Sequence, residues 1–167
     1  MSTSNSYNDF LAGFRETVVS ATARLRDIPP EQSRRGMSAD NWSPSEILGH
    51  LVDSAANNHQ RFVRAQFTDD LVFPGYEQER WVSSQKYRDE SWPDLIQFWS
   101  SYNLHLLHAV SVIPQNILTN PRENHSLDQI AFNLVDRNEP ATLEYLIRDY
   151  VVHLRHHLEQ IFEVTKH

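Results

Sequence analysis

Residues 43–55 read SPSEILGHLVDSA, and this stretch contains both the start signal and the apolar stripe of a long helix. Ser43 suits the N-cap, Pro44 suits the first helical position, and Glu46 follows Ser43 at the spacing of a capping box. Apolar residues then recur at helical spacing along one face: Ile47, Leu51, Ala55, Phe62 and Ala65. The pattern predicts an amphipathic helix that begins at residue 43 and ends near residue 67.

Three further segments carry the same helical period: residues 6–27, residues 91–110, and residue 141 to the end of the chain. The chain has only 4 glycines, which together with this period favours an all-α fold. Four amphipathic helices of this length predict a four-helix bundle. Because a modest loop joins the first and second helices, we expect them to be antiparallel neighbours.

Two long connections, residues 68–90 and 111–140, separate the later helices. Stretches of this length are expected where a bundle uses crossover connections. A crossover at 68–90 brings the chain back along the bundle, so the third helix should run parallel to the second and start beside His50. Within the other connection, residues 117–119 and 131–135 are either short strands or irregular loop.

Composition and charge narrow the class of protein. The 167 residues suit one domain over residues 1–167, and the lack of cysteine excludes disulfides, thiolate metal sites and a cysteine nucleophile. The net charge of −7 argues against nucleic acid as a partner, because phosphate binding needs the opposite sign. No apolar run approaches a membrane span and no secretion signal is visible, so we expect no membrane partner and a cytoplasmic location.

Histidine occurs 9 times, and three of these residues form a candidate metal site. His153 and His157 are one turn apart beside the buried face of the fourth helix, a spacing at which two imidazoles reach one metal ion. If the second helix runs antiparallel to the fourth, His50 lies at the same depth as this pair. A packed or solvated histidine pair is the alternative. No special role is expected for the others, with His59 facing water: His59, His105, His108, His125, His156 and His167.

Two histidine-containing blocks carry a family resemblance. Residues 41–54, NWSPSEILGHLVDS, are similar to the W-S-x-x-E-I-x-x-H-L-x-D opening of the second helix in DinB-like (DinB/YfiT-type) proteins, a family of metal-dependent hydrolases. Residues 149–161, DYVVHLRHHLEQI, resemble the closing H-x-x-H-H-x-x-Q-I helix of that family. Shorter matches extend the similarity: NNHQRF at 57–62, FPGY at 73–76 and WV at 81–82.

The resemblance implies a four-helix bundle in up-down-down-up order with long crossover loops. It also implies a divalent metal ion, zinc or nickel, on the histidines that match the motifs, which are His50, His153 and His157. The same three residues are those that helical geometry brings to one level. The family includes hydrolases and members that transfer low-molecular-weight thiols, so the resemblance implies a small-molecule substrate.

Three neutral imidazoles leave open positions on a divalent ion, as in catalytic zinc sites. An open position holds a water whose pKa falls towards ~7, which favours a metal-dependent hydrolase. The same position equally binds a thiol as thiolate. Because the chain has no cysteine, this alternative, a thiol S-transferase, needs a low-molecular-weight thiol as cosubstrate. A third alternative is a non-catalytic bundle that binds a metal or a small ligand.

Polar residues near His50 are candidates for further roles. Asp53, one turn later, is a candidate base or a group that orients a ligand imidazole. Asn57 and Arg61 continue the same face. They form either a substrate clamp, with Arg61 on a carboxylate or phosphate, or a hydrogen-bonded flank of the bundle.

The aromatic connection 68–90 is expected to fold over the metal end of the bundle. Tyr76 and Trp81, with Tyr87 after them, either line an apolar pocket beside the site or pack in the core. The same aromatic surface would otherwise pack between two subunits. Since cyclic dimers are the commonest oligomers, we expect a homodimer.

Overall fold

Helices dominate the computed structural model, which describes residues 3–36 and 41–166. Their bounds are Thr3–Arg26 (α1), Pro30–Ser33 (α2), Pro44–Arg64 (α3), Gln78–Gln85 (α4), Trp92–Ser111 (α5), Gln115–Leu118 (α6), Leu127–Ile130 (α7) and Leu143–Val164 (α8). A 3-10 turn covers Tyr87–Asp89. The all-α prediction is confirmed, and α1, α3, α5 and α8 are the four predicted long helices. Among the described residues, no helix combines the length and apolarity needed to cross a membrane.

α3 begins where the capping pattern predicts. Ser43 Oγ accepts a hydrogen bond from the backbone N–H of Glu46 at 3.4 Å, and the N–H of Ser43 donates to Glu46 Oε2 at 2.8 Å. Both bonds of the capping box are thus present, with Pro44 as the first helical residue. The helix ends at Arg64, slightly earlier than predicted.

Contacts of α1 show that it runs parallel to α8 and antiparallel to α5. Early residues of α1 meet early residues of α8, and late residues meet late ones: Phe14 with Tyr150 and Arg24 with Phe162. Along α5 the order is reversed: Tyr7 with Val110 and Thr22 with Ser100. α1 and α8 therefore point the same way, and α5 points the opposite way.

α3 runs antiparallel to α8. Its first half meets the last turns of α8, and its own last turns meet the first half of α8: His50 with His157 and Phe62 with Tyr150. α3 and α5 therefore both run opposite to α1 and α8. The long helices follow the up-down-down-up order that the resemblance implies, and the third helix is parallel to the second as predicted.

α1 and α3 lie diagonally across the bundle, so the expectation that they are neighbours is wrong. Each of them packs mainly against α5 and α8. The connection between α1 and α3 contains α2, which packs against both α3 and α5. There the hydroxyl oxygens of Ser33 and Ser45 are 3.1 Å apart. The connection is therefore long enough to cross the end of the bundle, and loop length alone does not choose the neighbour.

The two long connections are hydrogen-bonded to each other. The N–H of Leu71 donates to the carbonyl of Asn124 at 3.0 Å, and the N–H of Ser126 donates to the carbonyl of Leu71 at 3.1 Å. Residues 117–119 belong to α6 and its end, and residues 131–135 are irregular. Neither stretch is a strand, and the β-type pairing among the described residues consists of isolated bridges.

After α4 the chain returns along α3 to the N-terminal end of that helix. The ring of Tyr87 lies against the backbone of Gly49, where a Cβ atom would overlap the ring. The Tyr87 hydroxyl donates to Asp53 Oδ1 at 2.7 Å. Next to it, Arg88 Nε donates to Glu46 Oε2 at 2.7 Å. Position 49 therefore requires glycine, and α5 starts beside the start of α3.

Candidate metal centre

Three histidines meet where the first half of α3 faces the last turns of α8. One ring nitrogen from each of His50, His153 and His157 lies within 4.8 Å of the other two. The Nε2 atoms of His50 and His153 are 3.2 Å apart. Two imidazoles on one tetrahedral zinc ion, each at ~2.05 Å, hold their nitrogens about 3.3 Å apart. The structure thus brings the predicted ligand set together, and the spacing of His50 and His153 fits two ligands of one divalent ion.

Helix geometry explains why these side chains converge. His153 and His157 are separated by one turn of α8, so both face α3. His50 lies near the start of α3, which the antiparallel pairing places opposite the end of α8. The residue is fully buried, with 0% of its surface exposed, and its ring lies 5.2 Å from that of Trp42. Of the three histidines, His50 is thus the most deeply buried, while His153 and His157 are partly buried.

Hydrogen bonds orient the rings. Gln160 Oε1 lies 2.7 Å from Nδ1 of His157, which makes Nδ1 the donor and leaves the Nε2 lone pair for a cation. Ser54 Oγ lies 3.5 Å from Nδ1 of His153. Nδ1 of His50 is buried without a hydrogen-bond partner among the described residues. This set of donors suits a cation on the Nε2 side of the rings.

Burial keeps the three imidazoles in the neutral form. It lowers the pKa of His50 to about 4, and repulsion from His157 adds to the effect. It lowers the pKa of His153 to about 3, with further contributions from the neighbouring histidines. The pKa of His157 is also lowered by burial. Because a divalent metal binds neutral imidazole, the cluster has the protonation state of a metal site at neutral pH.

A cavity of about 270 Å³ opens beside His153 and His157. Its walls come from α3, the first crossover, the α7 region and α8. The polar and aromatic lining includes Ser54, Asn58, Arg61, Tyr76, Phe132, Asp149 and Tyr150. Pockets for drug-sized ligands measure about 300 to 1,000 Å³, so this cavity suits a small molecule.

Among the predicted substrate-contacting residues, Arg61 and Tyr76 line the cavity, whereas Asn57 faces a neighbouring groove. Asn57 Nδ2 donates to a backbone carbonyl one turn earlier at 2.9 Å. Ser54, Asn58 and Arg61 stand at i, i+4 and i+7 and therefore share one face of α3. Asn58 takes the place expected for Asn57, since one residue is a rotation of about 100° around the helix.

Asp53 lies outside the cavity, in contact with the returning crossover. Its Oδ1 accepts hydrogen bonds from the Tyr87 hydroxyl at 2.7 Å and from Gln85 Nε2 at 2.8 Å. Burial raises the pKa of Asp53, although these two bonds oppose the shift. These two hydrogen bonds hold the crossover against α3. A role for Asp53 as a base or as an orienting group for an imidazole stays a prediction.

Sequence inspection misses Asp149 and Phe132, which form part of the cavity wall. Asp149 accepts backbone N–H bonds from Phe132 at 2.7 Å and from Asn133 at 2.8 Å, which holds the loop after α7 against α8. The ring of Phe132 then lies 5.3 Å from that of His153. The available signal was Asp149, an acidic residue one turn before His153 on an otherwise apolar face.

The aromatic crossover contributes less to the cavity than expected. Tyr76 lines it, but Trp81 lies behind Tyr76 with ring centroids 5.1 Å apart and is 39% exposed. Tyr87 packs on α3 instead. The covering of the site is therefore shared between Tyr76 and Phe132, from different connections.

The remaining histidines lie outside the cluster. His59 does not face water as expected, because α5 packs on that side of α3. Its ring lies 5.3 Å from that of His105, and its Nδ1 lies 3.2 Å from the Tyr102 hydroxyl. His125 is buried, and its Nε2 donates to the carbonyl of Glu139 at 2.7 Å. His105, His108 and His156 are exposed, and His167 lies outside the described residues.

Comparison with solved structures finds the same fold. YfiT from Bacillus subtilis, described as "a probable metal-dependent hydrolase with an unusual four-helix bundle topology", matches with a TM-score of 0.78 at 15% sequence identity. The match covers 99% of this chain and 89% of that chain. No curated protein matches the sequence. The structural match shows that the two proteins share their topology.

The family model of the DinB superfamily matches residues 14–161. This span contains all four long helices in large part, and it includes His50, His153 and His157. The resemblance carried by the two histidine blocks is thereby confirmed over most of the sequence. The chain belongs to the DinB superfamily.

Proposed function

We propose that this protein is a metal-dependent hydrolase of a small molecule, with a divalent zinc or nickel ion on His50, His153 and His157. One observation carries the proposal: three neutral imidazoles converge within 4.8 Å of one another, and two of them, His153 and His157, line a cavity. The shared fold with YfiT, which is described as a probable metal-dependent hydrolase, supports the same class of reaction.

His50, His153 and His157 would hold the divalent ion, which would supply Lewis-acid chemistry and activate water for the hydrolysis of an ester or amide. The protein side chains prepare the site for this chemistry. Gln160 fixes the tautomer of His157 through the 2.7 Å hydrogen bond. Arg61 offers hydrogen bonds to polar groups of the substrate, and the ring of Phe132 shields His153 from solvent.

Metal content tests the ligand assignment. We expect tag-free protein to hold about one zinc or nickel ion per chain, because three donors of this type bind a divalent ion tightly. The His153→Ala/His157→Ala variant should lose that ion. The matched control is His105→Ala, which removes an exposed histidine of α5 and should keep it. Equal metal content in the double variant and the wild type would refute the assignment.

Turnover tests the reaction. A panel of 4-nitrophenyl esters and anilides should be hydrolysed by the metal-loaded wild type and not by the double variant. Removal of the ion by a chelator should abolish turnover, and its return should restore it. Hydrolysis that persists after removal would contradict a metal-dependent mechanism.

A second candidate function, metal-dependent thiol transfer, is favoured because the described lining of the cavity offers no carboxylate that is free of hydrogen bonds. The charged acid of the cavity wall is Asp149, and both of its oxygens accept backbone N–H bonds. A thiol cosubstrate ionised at the metal needs no protein base. Bacillithiol, mycothiol and glutathione with electrophilic acceptors test this function. Metal-dependent ester turnover without any thiol would argue against it.

We also propose that the protein is a homodimer in solution. Phe132 and Leu134, on the loop beside the site, are 44% and 65% exposed. Exposed apolar side chains of this size favour a subunit interface, where they would be buried from water. Light scattering should give twice the chain mass of 19.5 kDa at micromolar concentration. A mass of one chain would refute the dimer.

A further inference from the structure

Arg61 is a buried cation without an acidic partner. It is 6% exposed, and among the described residues no carboxylate oxygen lies within ion-pair distance of its guanidinium, whereas Arg80, Arg88 and Arg148 each have one. Arginine stays protonated even when burial lowers its pKa, as it does here. Leaving a charge buried and unpaired is costly. Arg61 also lines the cavity, so an anion from outside the chain can reach it and pair with its charge.

The guanidinium is held in place by neutral groups. Arg61 Nη2 donates to the carbonyl of Pro74 at 3.0 Å, and Nη1 donates to Asn58 Oδ1 at 3.4 Å. These bonds fix the orientation of the planar fork without neutralising its charge. The remaining N–H donors of Arg61 then suit a ligand on the cavity side, where the Tyr76 phenol also lies.

The guanidinium of Arg61 indicates a negative charge on the ligand group that it binds. Arg61 and Asp149 are the charged residues among the described lining. Asp149 already accepts three hydrogen bonds, from Phe132 N, Asn133 N and Asn133 Nδ2. A single guanidinium with no lysine beside it matches a carboxylate better than a phosphate dianion, which is usually bound by several cations.

The position of Arg61 sets the length of the ligand. Ser54 lies beside His153 at 3.5 Å, and Arg61 follows Ser54 by seven residues on the same face of α3. At 1.5 Å per residue, the α-carbons of the two residues are about 10 Å apart along the helix axis. The Arg61 guanidinium reaches back to Asn58, whose level is about 6 Å from that of Ser54. A molecule that reaches from the histidines to Arg61 therefore carries its anionic group several bonds away from its reacting group.

We propose that the cavity recognises its substrate by a carboxylate, which Arg61 binds with the N–H donors that Pro74 and Asn58 leave free. The identity of the reacting group rests on the function proposed above, but the carboxylate site does not. Substrates of this class are esters or amides whose acyl or amino part ends in a carboxylate.

Binding is tested with hexanoate and its neutral analogue hexanamide, by NMR titration of the zinc-loaded protein. The wild type should bind hexanoate about 10- to 100-fold more tightly than hexanamide, the range expected for hydrogen bonds to a charged group. Arg61→Met should remove this preference. Arg64→Met, one turn later and exposed, is the matched control and should keep it. His153→Ala should also keep it, because the carboxylate does not bind at the histidines.

An equal affinity for hexanoate and hexanamide in the wild type would overturn the proposal. A preference that survives in Arg61→Met but disappears in His153→Ala would overturn it too, since the carboxylate would then lie on the metal. Arg61→Lys guards against a folding defect, because lysine keeps the charge but loses the planar fork. It should retain part of the preference.

Turnover gives a second readout. The 4-nitrophenyl hemiester of adipate carries a terminal carboxylate, and 4-nitrophenyl hexanoate is its neutral match. Arg61→Met should raise KM for the hemiester by about 10- to 100-fold more than it raises KM for the neutral ester. An equal loss for both esters would overturn the proposal. If the wild type hydrolyses neither ester, the hydrolase function fails, while the hexanoate titration still decides the carboxylate site.

Discussion

Replacement of Gly49 by alanine should destabilise the fold, although the same change in an open helix is favourable. In an unconstrained helix, Gly→Ala gains about 1 kcal/mol. Here a Cβ atom would overlap the ring of Tyr87, which is 4% exposed and must move away. Expelling an aromatic ring from the interior costs about 2 to 3 kcal/mol. Loss of the Tyr87 hydrogen bond to Asp53 adds about 1 kcal/mol.

The net effect of Gly49→Ala should be a loss of about 2 to 3 kcal/mol in the free energy of unfolding. Urea unfolding followed by circular dichroism measures it. Gly13→Ala is the matched control, because the nearest atom to its Cβ, Arg155 Nη2, lies at 3.5 Å, an ordinary contact. That variant should gain stability, up to about 1 kcal/mol.

A double-mutant cycle with Tyr87→Ala isolates the cause. With the ring absent, Gly49→Ala should no longer be costly and should behave like Gly13→Ala. A loss above about 1 kcal/mol that persists in the Tyr87→Ala background would refute the reasoning, because the ring would not be responsible. A loss near zero for Gly49→Ala in the otherwise wild-type protein would also refute the reasoning.

Three further predictions concern single side chains. Burial raises the pKa of Glu46, but hydrogen bonds from Ser43 and Arg88 outweigh it and the net pKa is lowered. The folded state therefore holds the ionised form more strongly than the unfolded state does. In urea titrations, the wild type should exceed Glu46→Gln in free energy of unfolding by a constant amount above pH 4.5, the ordinary pKa of this group. The difference should shrink as the pH falls below that value. A difference independent of pH would contradict this. Tyr150 donates to Asn103 Oδ1 at 2.5 Å in the core, so Tyr150→Phe should cost about 1 to 3 kcal/mol in urea unfolding by leaving that oxygen unpaired. A loss within about 0.5 kcal/mol would show that the bond is dispensable. Tyr76→Ala removes a cavity wall and should lower turnover of the esters without changing metal content, whereas unchanged turnover would show that Tyr76 does not cover the site.

Local patterns in the sequence predict those parts of the fold that local physics determines. The start of α3 depends on Ser43, Pro44 and Glu46, which act within one turn, so its position follows from the sequence. His153 and His157 converge because one turn of helix separates them. The helical rise and the antiparallel pairing of the two helices are enough to predict that His50 lies level with this pair.

Features that depend on distant packing are not predicted in this way. The diagonal placement of α1 and α3 results from the way all four helices share one core. The helical wheel indicates Asn57, whereas Asn58 lines the cavity, because the wheel locates a face only to within about one residue. Phe132 reaches His153 only because Asp149, far along the chain, holds its loop. His59 is half-buried because α5 packs over it.

The parallel pairing of α1 with α8 places the start of the first long helix and the end of the last one far apart. In an up-down-up-down bundle, the first and last helices have their free ends on the same side, and a short linker can join them. Here the start of α1 and the end of α8 are on opposite sides, and the 22 residues of α8 rise about 33 Å. A circular permutant would need a linker of at least about ten extended residues along the surface. Fusing two copies end to end would instead favour an elongated, head-to-tail arrangement.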